Sequence, residues 1–588
     1  MISSTESRGI PATVSRSVAA AFIAGITTIT LLEGRSAVAA AGAAGEPVEG
    51  ASGTRPSKQI PAPGVPSMGV SVPGKLPPLR VRLGYGPMLS WRKRFAGRPG
   101  VVVLCLGFAL LVLAWMAATQ PFDGPDEPSH YVRAYILSQG EVLGQKVDYL
   151  PNPGLDPPQE RFIDNDTRGI RIPANLMPGN AACINGRPNR VSCVVPSVVG
   201  NFAPLGYVLP AVALAVSHTT SSALWLGRLA CALQSLVFLL LAVALLWNGS
   251  SWSLLGFLAA VTPMVLFSSS VLNLSGIENG SCLAFVAAAL RIARDQERTP
   301  TWVWSAFGLA GAVALLTGPI DLAFVLLDLL VVAVLIGRRP LLALARRRAA
   351  TVAAVAIGAA FVLALVYSRI AGFSHTFGFS PVSQSLNDGF AQFVPVIGSA
   401  VGNFAALTVP LPNLALWIWW LLVAGVIGAA LWVGSWRERS AVALTTALCL
   451  LFPVLFWAWV DRYSGFNLDG REVLPELMLI PLVAGEVLAR QRARIQFRWG
   501  PRLALSAAVA LVAGFQAYSW WLSARAAAGA TLYLRFWAHA QWSPPLGWWP
   551  WVLSAAAGTV ALLSVALGAA LGGPGRSGGL APLALELA

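Results

Sequence analysis

Val101-Val-Val-Leu-Cys-Leu-Gly-Phe-Ala-Leu-Leu-Val-Leu-Ala-Trp-Met-Ala-Ala-Thr119 runs without a charge into Gln120-Pro-Phe-Asp123-Gly-Pro-Asp126-Glu127-Pro-Ser-His130-Tyr-Val-Arg133. The first half has the length and polarity of a membrane-spanning helix. The second half sets three carboxylates, an imidazole and a guanidinium at its boundary, where charge is costly and points to chemistry more than to packing. Pro125 and Pro128 stiffen the approach, and Pro128 suits the first turn of a following helix. With Asp126 opening that turn, His130 and Arg133 follow at i+4 and i+7 on one face. A helix cap with a solvated charged face is the structural alternative.

The rest of the chain has the same character. It is 56% hydrophobic and 11% charged, with a mean hydropathy of +0.66. Apolar runs of spanning length recur between short basic segments, which describes an all-α polytopic membrane protein. The net charge of +15 is gathered in those connectors, as for cytoplasmic loops. No soluble basic domain with interleaved aromatics is present, so nucleic acid is excluded as a partner.

Arg80, Arg82, Arg92, Lys93, Arg94 and Arg98 precede the first run. They set its N-terminal side in the cytoplasm and the acidic segment outside. Residues 120–217 then form a large external loop ending in a Pro-interrupted stretch, 201–217. Read as a span, that stretch would turn the basic runs Arg338–Arg348 and Arg490–Arg502 outward; read as a juxtamembrane hairpin, it leaves them inside. Spans are expected at 101–119, 222–247, 251–270, 276–293, 302–317, 319–337, 350–370, 414–435, 440–460, 473–489, 502–522 and 550–571, about twelve in all. The transmembrane domain is thus 80–572, with a cytoplasmic tail at 573–588. The segment 371–413 and the Trp-rich stretch near 537–549 fall outside, the latter as an interfacial belt.

Residues 1–79 fit this topology poorly. Arg8, Arg16, the apolar stretch Val18–Leu32 and Ala37-Val-Ala39 look like a signal peptide, and a Pro/Gly/Ala tract of disordered composition follows. Insertion or cleavage there would put residues 80–98 outside. An uninserted segment or a start at Met68 or Met88 removes the conflict, and the later start is the favoured reading.

Cys105, Cys231, Cys282 and Cys449 lie in apolar runs and read as small core residues. Cys183 and Cys193 lie in the external loop, where a disulfide fits an oxidising exterior. No metal site is indicated, because no His or further Cys lies close to that pair. No Walker loop, dinucleotide fingerprint or HExxH motif appears, so cytosolic nucleotide chemistry has no support.

Other polar residues recur at the same outer layer. Arg228 lies just inside a span end, as a fixed cation or as a snorkelling side chain. Glu278, in Asn273-Leu-Ser-Gly276-Ile-Glu278, either caps a helix dipole or faces a ligand. Arg471, in Asp469-Gly470-Arg471-Glu472, either holds phosphate or pairs with its acidic neighbours. Asp321 and Asp328 share one helix face within a span.

Together these positions resemble the domain-of-unknown-function family 2142, itself similar to C-type glycosyltransferases. Pro-Asp126-Glu127-Pro-Ser-His130-Tyr-Val-Arg133-Ala matches that family's Pro-Asp-Glu-Pro-x-His-x-x-Arg-Ala. Asn201-Phe-Ala-Pro204-Leu-Gly-Tyr207 is similar to its Pro-Pro-Leu-Tyr-Tyr segment, and Arg228 to the arginine that follows. Asn273-Leu-Ser-Gly276-Ile-Glu278 resembles its Asn-Pro-x-Gly-x-Glu, and Gly470-Arg471-Glu472-Val-Leu-Pro475 its Gly-Arg-Tyr-x-x-Pro. The likeness covers roughly residues 100–490. Glu472, Leu274 and Thr317-Gly318-Pro319 depart from the pattern, the last by lacking an arginine before its proline.

The resemblance implies a glycosyltransferase fold of the C type and transfer of a sugar from a polyprenyl-phosphate donor to a glycan, lipid or protein acceptor outside the plasma membrane. It implies Asp126 as general base, Glu127 or His130 assisting, and Asp123 in reserve. Arg133, Arg228, Asn273, Glu278 and Arg471 would bind substrate and phosphate. A divalent cation is compatible with this chemistry, though no residue set calls for one. The competing classes are a flippase or transporter of a lipid-linked precursor, which Asp321 and Asp328 would suit, and a non-catalytic envelope-assembly protein.

Overall fold

The computed structural model describes residues 99–571 except 148–158, 160–166, 180–182, 184–191, 248–250, 319–320, 373–379, 465–466 and 496–498. The signal-like N-terminal extension, the basic segment 80–98 and the tail 573–588 lie outside the described residues.

The helices are α1 (Pro99–Ala117), α2 (Glu127–Ser138), α3 (Val208–Ala215), α4 (Thr220–Leu246), α5 (Ser251–Ala260), α6 (Pro263–Ser268), α7 (Ser275–Asp295), α8 (Thr301–Thr317) and α9 (Asp321–Ile336). They continue as α10 (Arg338–Ala345), α11 (Arg348–Ala371), α12 (Val382–Val401), α13 (Asn413–Val433), α14 (Trp436–Ser464), α15 (Leu474–Arg490), α16 (Trp499–Ala527) and α17 (Trp549–Leu571). The protein is a multi-pass helical membrane protein. Among the described residues seven helices are long and apolar enough to cross a membrane: 100–117, 220–246, 275–298, 348–371, 413–433, 436–462 and 503–527. These seven correspond to seven of the roughly twelve expected spans. At 251–270 the chain breaks into α5 and α6, because Pro263 forces Thr262 out of helical geometry. α8, α9 and α15 have 17, 16 and 17 residues, and α15 also carries Glu476 and Glu486. α17 has 23 residues and coincides with the span expected at 550–571.

α7 is the centre of the bundle, with 89% of its apolar window buried, whereas α11, at 11%, lies on the rim. Small residues let helices meet closely. α5 crosses α15 at Gly256 and Gly485, where a Cβ on Gly256 would stand 2.8 Å from the Cα of Gly485. α3 has eight residues, about 12 Å of helix, far short of a bilayer's hydrocarbon thickness. Its Val208, Leu209 and Val212 are exposed.

Between α2 and α3 a three-stranded antiparallel sheet forms from β1 (Gln145–Lys146), β2 (Arg168–Pro173) and β3 (Ser192–Ser197), with Ile170 opposite Val195. The Cys183–Cys193 disulfide closes the loop leading into β3. The segment 371–413, expected as a plain loop, contains α12 and the hairpin β4 (Asn403–Phe404) and β5 (Val409–Pro410). α12 exposes Val382, Phe390 and Val394 and buries Ser385 and Gly389, the pattern of a helix lying in an apolar interface. Phe404 is fully buried, its ring 4.7 Å from that of Trp115 and 5.6 Å from that of Phe267.

Candidate active site

α2 turns away from α1 through Gly124, Pro125 and Asp126. Asp126 caps α2 in a left-handed conformation, φ 57°, and its side chain makes no capping bond. Its carboxylate instead pairs with Arg471, brought in from the far side of the chain, and both side chains are wholly buried. Arg471 also reaches Asp469 at 3.2 Å. Its turn, Gly470–Glu472, is fixed by a reciprocal capping box between Asp469 and Glu472 and by the Gly470 N–H donating to Ser399 Oγ at 2.9 Å. Burial alone would weaken the proton affinity of Arg471, but the charges of Asp126, Asp469 and Glu472 outweigh it and hold the guanidinium protonated.

Glu127 and Arg228 form a second buried pair. Arg228 donates Nε to Glu127 Oε1 at 2.7 Å and Nη2 to Oε2 at 2.6 Å. Its remaining N–H groups go to the carbonyls of Gln120 at 2.6 Å, Thr119 at 2.8 Å and Met116 at 3.4 Å. All five donors of the guanidinium are thereby used. Glu127 is equally occupied, accepting also from the N–H groups of Leu272 at 2.9 Å and Gly124 at 3.3 Å. The residues expected to assist the base and to hold phosphate are here each other's ligands, and Arg228 has no donor left over.

His130 and Arg133 face the 201–207 segment. His130 Nδ1 lies 2.6 Å from the Tyr207 hydroxyl, and the two rings stack. Arg133 donates Nε and Nη2 to the Phe202 carbonyl at 3.0 and 2.6 Å, and Nη2 to that of Val142 at 2.9 Å. Its neighbours are neutral oxygens and the Tyr207 ring, and burial lowers its pKa. Arg133 therefore fastens α2 to the hairpin. Asn273 is buried next to Leu272, with neither atom of its amide bonded to a described residue. Glu278 meets Asp321 around Gly318, where a Cβ would stand 3.0 Å from Glu278 Oε1 and 2.8 Å from Asp321 Oδ2.

Asp123 differs from its neighbours. It is half-buried, and no side chain among the described residues bonds its carboxylate. Burial, and then the charge of Glu127, push its carboxyl up to about 6, against the opposing pull of Arg228. Pro121 and Phe122, which precede it in the chain, line a cavity of about 500 Å³ together with Met177, Thr220, Leu224 and Trp225. The Arg228 guanidinium lies over the Trp225 ring at 5.1 Å. Among the described residues no three His, Cys, Asp or Glu side chains converge to hold a metal ion.

The Ser399 hydroxyl that seats Gly470 escaped the sequence reading, since a lone serine is not a recognisable motif. Arg525 escaped it too. It ends α16 with its guanidinium over Trp521 at 4.3 Å and no carboxylate within ion-pair distance among the described residues. α16 is tied to the first loop by Gln120 Nε2 donating to the Ala527 carbonyl at 2.5 Å.

No curated protein matches the chain. Of solved structures, it is similar to ArnT from Cupriavidus metallidurans bound to undecaprenyl phosphate, at 16% identity and a TM-score of 0.40, covering 80% of this chain and 77% of that one. It is similar also to the apo state of that protein, at 16% identity and a TM-score of 0.39, covering 83% and 78%. A family model described as "Predicted membrane protein (DUF2142)" matches residues 108–480, which is more than half of the sequence and spans every element of the site from α1 to α15. The chain belongs to the DUF2142 family of membrane proteins.

Proposed function

We propose that this protein is a membrane glycosyltransferase that moves a sugar from a polyprenyl-phosphate donor to a cell-envelope acceptor on the extracytoplasmic face of the plasma membrane. The observation that carries the reading is the buried Asp126–Arg471 ion pair just after α1, in the same segment as Pro121 and Phe122, which line an apolar cavity. Transfer needs a carboxylate to take the acceptor's proton and cations to stabilise the departing phosphate. The acidic segment supplies the first. Arg471 supplies the second by exchanging Asp126 for phosphate oxygens, with Arg525 as a further cation on the same side. The excess of arginine in the connectors at the other end of the bundle supports the extracytoplasmic placement. The acceptor is a glycan, lipid or protein hydroxyl.

A flippase or transporter is the second reading, and the buried Asp321, Asp328 and Glu476 favour it. Purified protein in liposomes, given radiolabelled polyprenyl-phosphate sugars and envelope glycan, separates the two. Label appearing in the glycan supports transfer, and movement of intact donor between leaflets without transfer supports transport. In cells, a deletion strain is expected to accumulate one polyprenyl-phosphate sugar.

A further inference from the structure

The faces of α7 are fixed by close packing. Gly276 and Gly280 lie against Ser235 of α4, Phe285 meets Gly311 of α8, and Leu274 and Ile277 meet Gly206 in the hairpin. At about 100° per residue, these contacts leave one sector, which carries Ser275, Asn279 and Cys282. It faces α9 and α15, which also pack on α7. α15 turns a polar group to the same place. Its Gly485 lies against Gly256 of α5, and Leu474, Met478 and Pro481 share that side. Glu476 therefore points the opposite way, toward α7, α9 and α14. On α9, Asp321 and Asp328 share a face with Phe324, whose ring meets that of Phe452 on α14 at 5.5 Å. Cys449, wholly buried, lies one turn before Phe452 on that face of α14.

None of these converging residues is basic. The arginines of the four helices are engaged elsewhere: Arg294 and Arg490 pair with Glu486, Arg291 with Asp295, and Arg437, Arg439 and Arg462 donate to main-chain carbonyls. Asp328 and Glu476 are 4% and 2% exposed, and neither takes part in an ion pair among the described residues. The Ser275 hydroxyl, both polar atoms of the Asn279 amide and Glu476 Oε2 are buried with no hydrogen-bond partner among the described residues. A buried carboxylate without a counter-ion is too costly to stay charged, so it takes up a small cation or a proton. Among the described residues no three His, Cys, Asp or Glu side chains converge to hold a metal ion, which favours the proton.

We propose that Asp328 and Glu476 form a proton-binding site inside the bundle, lined by Ser275 and Asn279, and that the pair holds at least one proton at neutral pH. Asp321, about 10 Å nearer the start of α9, meets the half-buried Glu278 at Gly318, and this second pair is where the proton exchanges with water. The inference does not rest on the transferase reading.

The test uses the purified full-length protein and dicyclohexylcarbodiimide, an apolar reagent that adds the O–H of a protonated carboxyl across its C=N bond. Peptide mapping at neutral pH is expected to find the label on Glu476 or Asp328, and to find less of it as pH rises and the carboxyls ionise. The infrared C=O band of a protonated carboxyl is expected in the wild type and lost in the Asp328→Asn/Glu476→Gln double variant. Amides copy neutral acids in shape and charge, so that variant is expected to melt as the wild type does. Absence of both the label and the band overturns the proposal. So does protection of the two residues by sodium or potassium at constant pH, which marks a bound metal cation instead of a proton. A double variant that no longer folds also counts against it, because the acids would then have been charged.

Discussion

Replacing Arg228 by Met keeps most of the side chain's volume and removes its charge. In the wild type the guanidinium satisfies both oxygens of Glu127 and three main-chain carbonyls at the end of α1. After Arg228→Met, Glu127 keeps only the Leu272 and Gly124 N–H groups and is left as a fully buried charge. Breaking a buried pair from one side costs about 3–5 kcal/mol, roughly a 10²–10³·⁵-fold shift in the folded population. The expected result is a large fall in apparent melting temperature in detergent and a loss of monodisperse protein on size exclusion. Arg228→Met combined with Glu127→Leu removes both charges, so the double variant is expected to recover much of the loss. Additive losses, or an Arg228→Met protein as stable as the wild type, would refute the view that this pair is a mutual clasp.

Three further outcomes follow from other parts of the molecule. Gly256→Val puts a Cβ 2.6 Å from the Pro481 carbonyl oxygen, so a loss of at least about 1–3 kcal/mol is expected, read as faster thermal inactivation. Cys183→Ser is expected to leave the bundle folded while its three-stranded sheet becomes sensitive to limited proteolysis, a change that reductant reproduces in the wild type. Asp123 has its folded pKa raised from 3.8 to about 6, so the folded state holds the extra proton between those values. Stability from this group is therefore present at low pH and falls as pH rises through that window. Melting curves from pH 4 to pH 7 should show this slope in the wild type and a flatter one in Asp123→Asn.

The periodic parts of the architecture were readable because the apolar runs are long and their charge is concentrated in connectors. The broken α5–α6 pair was harder to see. Its hydropathy is continuous, and only Pro263 marks the bend. α12 was concealed by its polar residues, although Val382, Leu386, Phe390 and Val394 repeat every four positions. At the site, the acidic segment and Arg471 stood out as charges in apolar surroundings. Which charge faces which could not be read, because the pairings join positions up to 345 residues apart.

The Asp126–Arg471 pair also sets an order of events during synthesis. Asp126 emerges with the first helices, but its counter-ion arrives only when the chain has been made as far as residue 471. Until then a carboxylate at the boundary has only water or protons to balance it, and α2 cannot settle against the bundle. Completion of the site is thus coupled to insertion of the C-terminal third, and a chain ending before residue 471 would leave Asp126 without this counter-ion.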